Sequence, residues 1–173
     1  DVIHNVVLIK DTDGNPLYFA SGMTDITEQK DKEFQFKTLS IGIEQSPAIT
    51  VITDINGNIN YVNPAFKDIT GYTLEEVKGK NPRILKSSEM KEEEYRDLWA
   101  TISAGKVWRG QFYNKRKDGT MYWEKAIISP VKDDNGKIMH YLKKAEDITV
   151  QKLVEKILEK ERNQFRMMMD NIP

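Results

Sequence analysis

The chain of 173 residues is 39% apolar and 31% charged, a composition typical of a folded, water-exposed domain with helical connections. Its 26 Lys and Arg residues against 27 Asp and Glu residues leave a formal net charge of −1, and no block of like charge indicates a nucleic-acid arm or a membrane-surface patch. Because the chain has no cysteine, disulfides and thiolate chemistry are excluded.

No signal peptide opens the chain, and no apolar run approaches the roughly 18 residues that a membrane helix needs. We therefore expect a cytoplasmic protein, with any membrane anchor lying elsewhere. Since the chain begins at Asp1 and not at Met, we expect it to belong to a longer protein.

The first third of the chain predicts a hairpin, a helix and a second hairpin. Residues 1–24 should form two strands. We place a connector helix over residues 28–42, where charged residues are frequent and Gly42 weakens the final turn. Residues 49–62 form two strand-like runs around Asn56-Gly57, a dipeptide that favours a tight hairpin turn.

Three helices should follow this second hairpin. Asn63 can cap the first helix and Gly71 can end it. Thr73 and Glu76 have the spacing of a capping box, which predicts the second. A longer helix should span about 89–104, because apolar side chains recur there at helical spacing, namely Tyr95, Leu98, Trp99 and Ile102.

Three strands are predicted at 107–116, 120–131 and 137–147, separated by glycine-containing turns. An isolated two-stranded hairpin is marginally stable, so the strands of 49–62 should join these three in one antiparallel sheet. The short helices are available to cover one face of that sheet. The pattern therefore predicts an α+β domain with its core between sheet and helices.

The sequence contains an internal repeat. The stretch "IKDTDGNPLYFASGMTDIT" at 9–27 aligns without a gap with "VKDDNGKIMHYLKKAEDIT" at 131–149, and equivalent residues such as Asp25 and Asp147 are 122 positions apart. A shorter similarity joins "IEQSP" at 43–47 to "MDNIP" at 169–173. Long internal periods indicate arrays of similar units.

The repeat predicts the domain organisation. Residues 1–27 are the C-terminal hairpin of a preceding unit, and 28–42 are a connector helix. Residues 43–149 are one complete unit, 150–166 are an amphipathic connector helix, and 167–173 begin a following unit.

Three motifs of the complete unit resemble the PAS family of sensory domains in their order and spacing. They are "VITDINGNINYVNPAFKDITGYTLEEVKGKNPRILKS", "WRGQFYNKRKDGTMYWEKAIISPVKDDNGKI" and the closing "DIT". The similarity is greatest to the PAS units strung together in bacterial or archaeal signalling proteins. It implies a five-stranded antiparallel sheet with short helices on one face, a pocket between them, and signalling helices at both ends.

The resemblance also implies a joint between the last strand and the outgoing helix. Asp147, Ile148 and Thr149 hold the positions of this joint, as Asp25 and Thr27 do in the first copy. Asp and Thr are good helix caps, and a helix-forming stretch follows each motif. The repeated motif is therefore interpreted as a joint that occurs twice.

The implied function is that of a non-catalytic sensory and signal-relay module in a multidomain protein of the sensor histidine kinase or diguanylate cyclase type. Two histidines and no cysteine leave little from which to build a nucleophilic site, and no P-loop, GxGxxG or HExxH occurs. A ligand-free dimerisation scaffold and an FAD-binding redox sensor stay open as alternatives. The expected partners are neighbouring PAS units, an output domain in the same chain, and a second copy in a homodimer.

A flavin is one candidate ligand. "GKNPRILKS" resembles the flavin-binding loop of the light-sensing LOV branch of the family, but Pro82 stands where that branch has its reactive cysteine, which argues against a covalent FMN adduct. Glu124 and Ala145 also depart from the amide residues of that branch. The same regions resemble FAD-binding PAS domains, and the candidate cofactor-binding residues are Asn81, Arg83, Trp108, Asn114 and Trp123.

The chemistry of these residues suits a flavin, since the indoles offer flat apolar surface, the amides supply donors and acceptors, and Arg83 can meet a phosphate. The alternative is that the indoles are packing residues and the polar groups belong to turns. Haem is disfavoured because His4 and His140 are the only histidines and neither lies in the helical region. A small organic acid would lack an obvious basic cluster, and no metal site is predicted.

The connector after Thr149 has an apolar stripe formed by Leu153, Val154, Ile157 and Leu158. Charged residues flank the stripe, and an isolated helix of this length is marginal in water. Two such helices side by side would bury it, which predicts a parallel coiled-coil contact in a homodimer. Packing of the stripe on the domain's own sheet is the alternative.

Overall fold

The computed structural model describes residues 1–87 and 92–170 and divides the chain into two units, 1–43 and 44–173. The first unit contains β1 (Val2–Lys10), β2 (Pro16–Asp25) and most of α1 (Thr27–Glu44). β1 and β2 pair antiparallel, and both faces of the hairpin expose apolar side chains, including Phe19 at 72%. No residue of α1 is buried, and this helix extends two residues past the predicted 28–42.

The described residues of the second unit form five strands, four α-helices and one 3-10 helix. Its elements in chain order are β3 (Ile49–Thr53), β4 (Ile59–Val62), α2 (Pro64–Thr70), α3 (Leu74–Val77), the 3-10 helix Pro82–Leu85, α4 (Glu92–Ser103), β5 (Trp108–Lys115), β6 (Met121–Lys132), β7 (Ile138–Asp147) and α5 (Thr149–Asp170).

The strands form one antiparallel sheet in the order β4-β3-β7-β6-β5. β3 pairs with β7 from Ile49 opposite Ala145 to Thr53 opposite Tyr141, which joins the early hairpin to the later meander. The prediction of a single five-stranded antiparallel sheet is confirmed. The pairing of β3 with β7 joins the early hairpin and the later meander in one sheet, so residues almost a hundred positions apart in the chain are neighbours at its centre.

Local sequence signals set the bounds of the short helices. The Asn63 side chain accepts a hydrogen bond from the backbone N–H of Phe66 at 3.3 Å, and Pro64 takes the first helical position of α2. Gly71 ends this helix at φ +79°, with its N–H on the carbonyl of Lys67 at 2.8 Å. For α3, the Glu76 carboxylate accepts from the N–H of Thr73 at 3.0 Å, as the capping-box spacing predicts.

The core lies between the sheet and its helical cover. Alternate residues of the strands face the helices and are buried, and Phe66, Val77, Leu98 and Ile102 of the helices meet them. The other face of the sheet carries half-buried and exposed side chains such as Trp123.

The long helices differ from their predicted bounds. The predicted helix 89–104 is observed from Glu92, and residues 89–91 lie outside the described residues. The predicted connector 150–166 continues through residue 170, and 171–173 lie outside the description. Within 1–87 and 92–170, no helix combines the length and apolar character needed to cross a membrane.

Candidate functional site

A cavity of about 90 Å³ lies between the sheet and α4. Its inner wall is formed by strand residues and its outer wall by α4, the 3-10 helix and the β3–β4 turn. The apolar lining consists of Val51, Leu98, Ile102, Phe112, Ile128 and Tyr141, together with the ring of Trp99. A space of this size in an otherwise packed core is large enough for a small group of waters.

The polar feature of the inner wall is a buried ion pair. Glu124 on β6 has no solvent exposure, and its Oε1 accepts a hydrogen bond from the Lys143 ammonium on β7, whose side chain is 11% exposed. No described residue donates to the other carboxylate oxygen, Oε2, although this atom is buried. An unpartnered buried acceptor beside a cavity favours a donor in that cavity, from water or from a ligand.

Three of the predicted site residues, Asn81, Arg83 and Asn114, line the cavity. Asn114 on β5 is buried, and Asn81 stands just before the 3-10 helix at the outer wall. The Asn81 Oδ1 accepts from the N–H of Arg83 at 3.1 Å and from its Nε at 3.3 Å. The structure thus brings Asn81, Arg83 and Asn114 together around one space.

The two predicted tryptophans do not line the cavity. Trp108 faces the helical side, but its indole N–H donates to Asp97 at 3.0 Å and its ring packs on Phe112 with centroids 5.0 Å apart, beyond the cavity end. Trp123 is adjacent to Glu124 in β6 and therefore points to the opposite face of the sheet, where it packs on Tyr113 at 4.8 Å. Neither indole is placed to stack on a ligand in this cavity.

Sequence reasoning missed most of the cavity residues, among them Glu124, Lys143 and the two α4 aromatic residues Tyr95 and Trp99. Tyr95 and Trp99 were identified as the apolar face of a helix, which is correct but does not show that they reach a cavity. Burial, followed by the nearby charges of Glu124 and Glu94, raises the pKa of Tyr95 to about 12. The inward position of Glu124 was readable from strand alternation, since Tyr122 and Ala126 flank it two residues away.

The joint is connected to the cavity wall through the sheet, because Glu124 pairs with Asp147 across β6 and β7. The Asp147 Oδ1 accepts from the N–H of Thr149 at 2.9 Å and from its hydroxyl at 2.5 Å. Thr149 Oγ1 in turn accepts from the N–H of Trp123 at 2.9 Å, and the N–H of Ile148 donates to the Trp123 carbonyl at 2.9 Å. Both backbone groups of Trp123 are therefore committed to the start of α5.

The first copy of the motif has the same local geometry. The Asp25 Oδ1 accepts from the N–H of Thr27 at 2.8 Å and from its hydroxyl at 2.6 Å, and these bonds hold the pKa of Asp25 below its usual value. The two motifs are the same cap at the start of two helices.

Arg116 is a joint residue that sequence reasoning missed. Its guanidinium donates to Asp147 Oδ2 at 2.6 Å and to the carbonyl of Ile69 in α2 at 2.7 Å. It also reaches the carbonyl of Met121 at 3.3 Å. The five donors of an Arg side chain allow one residue to connect the helical cover, the β5–β6 turn and the joint.

The α5 stripe is exposed in the single chain. Leu153 and Leu158 are 58% and 59% exposed, and Val154 and Ile157 are about half exposed. The predicted alternative, in which the stripe packs on the domain's own sheet, is wrong for the described residues, because α5 has no buried residue.

Comparison with known proteins identifies the family. The profile of the PAS domain matches residues 47–150, and the chain belongs to the PAS family. It is 37% identical over 131 residues to a nitrogen fixation regulatory protein of Klebsiella oxytoca, covering 76% of this chain and 26% of that protein. It is also 37% identical over 106 residues to a blue-light-activated histidine kinase of Brucella canis, covering 60% of this chain and 21% of the kinase.

Among solved structures, an RNA-binding Light-Oxygen-Voltage receptor matches with a TM-score of 0.70 at 22% identity, covering 94% of this chain and 44% of that one. This likeness shows the fold. The chain spans about a quarter of the curated relatives that it matches. These relatives are signalling regulators, and the PAS fold is a sensory and generally non-catalytic domain, so the predicted sensory module is confirmed.

The cavity residues fit a flavin in chemistry but not in volume. Asn81, Asn114 and the free Oε2 of Glu124 offer the donors and acceptors that a heteroaromatic edge needs. The cavity of about 90 Å³ is below the roughly 300–1,000 Å³ of small-molecule sites. As the side chains stand, the three fused rings of a flavin are not accommodated, and Trp99 on α4 occupies the adjoining space.

Proposed function

We propose that this chain is a signal-relay PAS module of a multidomain protein of the sensor histidine kinase or diguanylate cyclase type. A change in the cavity is passed through the joint at Asp147, Ile148 and Thr149 to α5. The histidine kinase among its relatives supports the output class. Neighbouring PAS units and an output domain in the same chain are the partners of this module.

The observation that carries the proposal is the arrangement of two consecutive residues in β6. Glu124 presents its carboxylate to the cavity, and Trp123 gives its backbone N–H to Thr149 at 2.9 Å. Glu124 and Trp123 share one peptide bond, and a tightly packed interior transmits strain. A ligand that displaces the backbone at Glu124 would therefore also displace the groups that hold the first turn of α5.

Amide spectra and hydrogen exchange test this relay. Glu124→Gln changes the cavity while keeping the side-chain size, and Glu93→Gln on the exposed side of α4 is the matched control. We expect Glu124→Gln to shift the amide signals of Ile148 and Thr149 and to change exchange in the first turn of α5, with no such change in the control. A response confined to β6 and the cavity would contradict the relay.

The second candidate function is non-covalent flavin binding, either FAD or FMN, by the residues around Asn81 and Asn114. The buried Oε2 of Glu124, to which no described residue donates, favours it, because a carboxylate oxygen can accept a hydrogen bond from a ring N–H. The purified protein should then carry the visible absorption of an oxidised flavin. A protein that shows tryptophan and tyrosine bands alone, and stays so after incubation with FAD and FMN, would support the ligand-free scaffold instead.

We also propose that the module forms a homodimer through the exposed stripe of α5, as a parallel coiled coil. Apolar side chains that are half exposed in one chain lose that exposure in a two-helix contact. Ile157→Lys should shift the sedimentation coefficient toward the monomer. Glu159→Lys, on the opposite side of α5, introduces the same residue and should leave it unchanged, and an equal effect of both would remove the stripe as the interface.

A further inference from the structure

The internal cavity borders a surface cleft, and four side chains line both spaces. Asn81, Arg83, Tyr95 and Trp99 face the cavity of about 90 Å³ on one side and the cleft of about 740 Å³ on the other. These four side chains therefore form the partition between the two. The joined space reaches the size range of small-molecule sites, which the cavity alone does not.

Three members of the partition are held in place. Asn81 and Arg83 are hydrogen-bonded to each other at 3.1 and 3.3 Å at the start of the 3-10 helix. The Tyr95 ring packs on Phe112 with centroids 5.9 Å apart and carries the Lys86 ammonium 4.8 Å above its centre. Moving any of them breaks a specific contact.

Trp99 is held by packing alone. Its half-buried indole meets Tyr141 edge-on at 5.9 Å, and no residue in 1–87 or 92–170 accepts a hydrogen bond from its ring N–H. Trp108 differs, since its indole N–H is bound to Asp97 at 3.0 Å. Rotation of the Trp99 side chain thus breaks no hydrogen bond to a described residue.

Gly57 in the β3–β4 turn provides the space that the Trp99 indole now fills. A Cβ atom at position 57 would lie 2.8 Å from the indole Cη2 and 2.8 Å from Asn81 Nδ2. The backbone is also at φ +81°, a region that favours glycine. The turn and the indole are therefore packed directly against each other at the mouth of the cavity.

The cleft outside the partition is basic. Arg83, Lys86 and Arg96 line it, and all three are exposed. Glu92 is the single carboxylate among its described lining residues. A ligand whose ring enters the cavity would place any tail in this cleft, where cations attract phosphate.

We infer that the Trp99 indole occupies the place of a ligand ring and is displaced toward the cleft when a flat heteroaromatic ligand with an anionic tail enters. This inference rests on the proposed ligand-binding function of the cavity. It makes Trp99 the residue that sets access and affinity, because binding has to include the displacement of the indole. If the indole occupies the place of the ligand, this also explains why the cavity has the polar groups of a binding site but a smaller volume than such a site.

Titration with FMN and with indole tests the inference on wild type, Trp99→Ala and the control Trp123→Ala. Trp123→Ala removes the same side chain from the opposite face of the sheet. We expect Trp99→Ala to bind FMN about tenfold more tightly than wild type, since the displacement step is gone. Trp123→Ala should match wild type. Riboflavin, which lacks the phosphate, should bind more weakly than FMN to every variant.

Equal or weaker FMN binding by Trp99→Ala would overturn the inference, since the indole would then be neutral or a stacking partner. If neither wild type nor Trp99→Ala binds FMN, the flavin proposal fails, and the titration with free indole then tests the inference about Trp99. Indole should raise the Tm of Trp99→Ala and leave that of wild type unchanged, which would support a displaceable indole with a ligand other than flavin. If indole does not raise the Tm of Trp99→Ala, the inference about Trp99 is overturned together with the flavin proposal. Trp99→Leu repeats the comparison should the alanine variant not fold.

Discussion

Replacing Lys143 by Met would leave the Glu124 carboxylate buried without its cation. Glu124 has no solvent exposure and Lys143 has 11%, so the carboxylate would lose this cation while staying out of bulk solvent. Removing one partner of a buried ion pair lowers the free energy of unfolding by about 3–5 kcal/mol. We expect the free energy of unfolding of the second unit to fall by this amount.

Replacing the other partner, Glu124, should destabilise the second unit less. Glu124→Gln leaves Lys143, whose long side chain can carry its ammonium toward solvent. We expect a loss of about 1–3 kcal/mol from the unmet hydrogen bond. The double variant Glu124→Gln/Lys143→Met removes both charges and should lie within about 1 kcal/mol of wild type, because no charge stays buried and unpaired.

Urea unfolding followed by tryptophan fluorescence measures these differences. All three tryptophans, Trp99, Trp108 and Trp123, lie in the second unit, so the signal reports that unit alone. Glu155→Gln is the control, since its pair with Lys152 is 3.7 Å long and its side chain is 55% exposed. It should change stability by less than about 0.5 kcal/mol. A Lys143→Met loss as small as the control would refute a buried ion pair whose cation bulk water does not replace.

Thr149→Val removes the oxygen that accepts from the N–H of Trp123, so urea unfolding should show a loss of about 1–2 kcal/mol and α5 amides should exchange faster. Gly71→Ala places a Cβ on a backbone at φ +79° and should cost about 1 kcal/mol in the same assay. Stability should fall from pH 10 toward 12, because burial raises the pKa of Tyr61 and Tyr95 to about 12.

The sign of the pH effect follows from which state holds the protons. Between pH 10 and 12 the unfolded chain loses phenol protons that the folded chain keeps, so unfolding becomes easier. Tyr61→Phe should flatten the fall, and a wild-type profile without a fall would contradict the raised values. Unchanged α5 exchange in Thr149→Val would show that the joint does not hold the helix, and a neutral Gly71→Ala would contradict the assigned helix end.

Much of the fold was predictable because its signals are local. Asn63 and Gly71 set the ends of α2 through bonds to residues within four positions, and a reader of the sequence can see both partners. The joint was predictable for the same reason, since Asp147 and Thr149 are two residues apart. Two copies of one motif made the prediction stronger than either copy alone.

Three of the five candidate cofactor-binding residues, Asn81, Arg83 and Asn114, line one space, and the two tryptophans do not. Alternation within β6 places Tyr122 and Glu124 on one face and Trp123 on the other, which the sequence alone could have shown. Which β6 residues lie beside Asn114 depends on the register of β5 and β6, where Asn114 pairs with Tyr122, and this register joins two strands.

The sequence by itself determined the two joints, the helix caps and the alternation that buries one face of each strand. These features depend on backbone groups and side chains a few residues apart, whose geometry is fixed by the chain. Only the tertiary structure decided that Lys143 meets Glu124, that Arg116 ties α2 to the joint and that Trp99 stands beside the cavity. Each of these contacts joins residues brought together by strand pairing and packing, and the energy that selects them belongs to the assembled sheet and its cover.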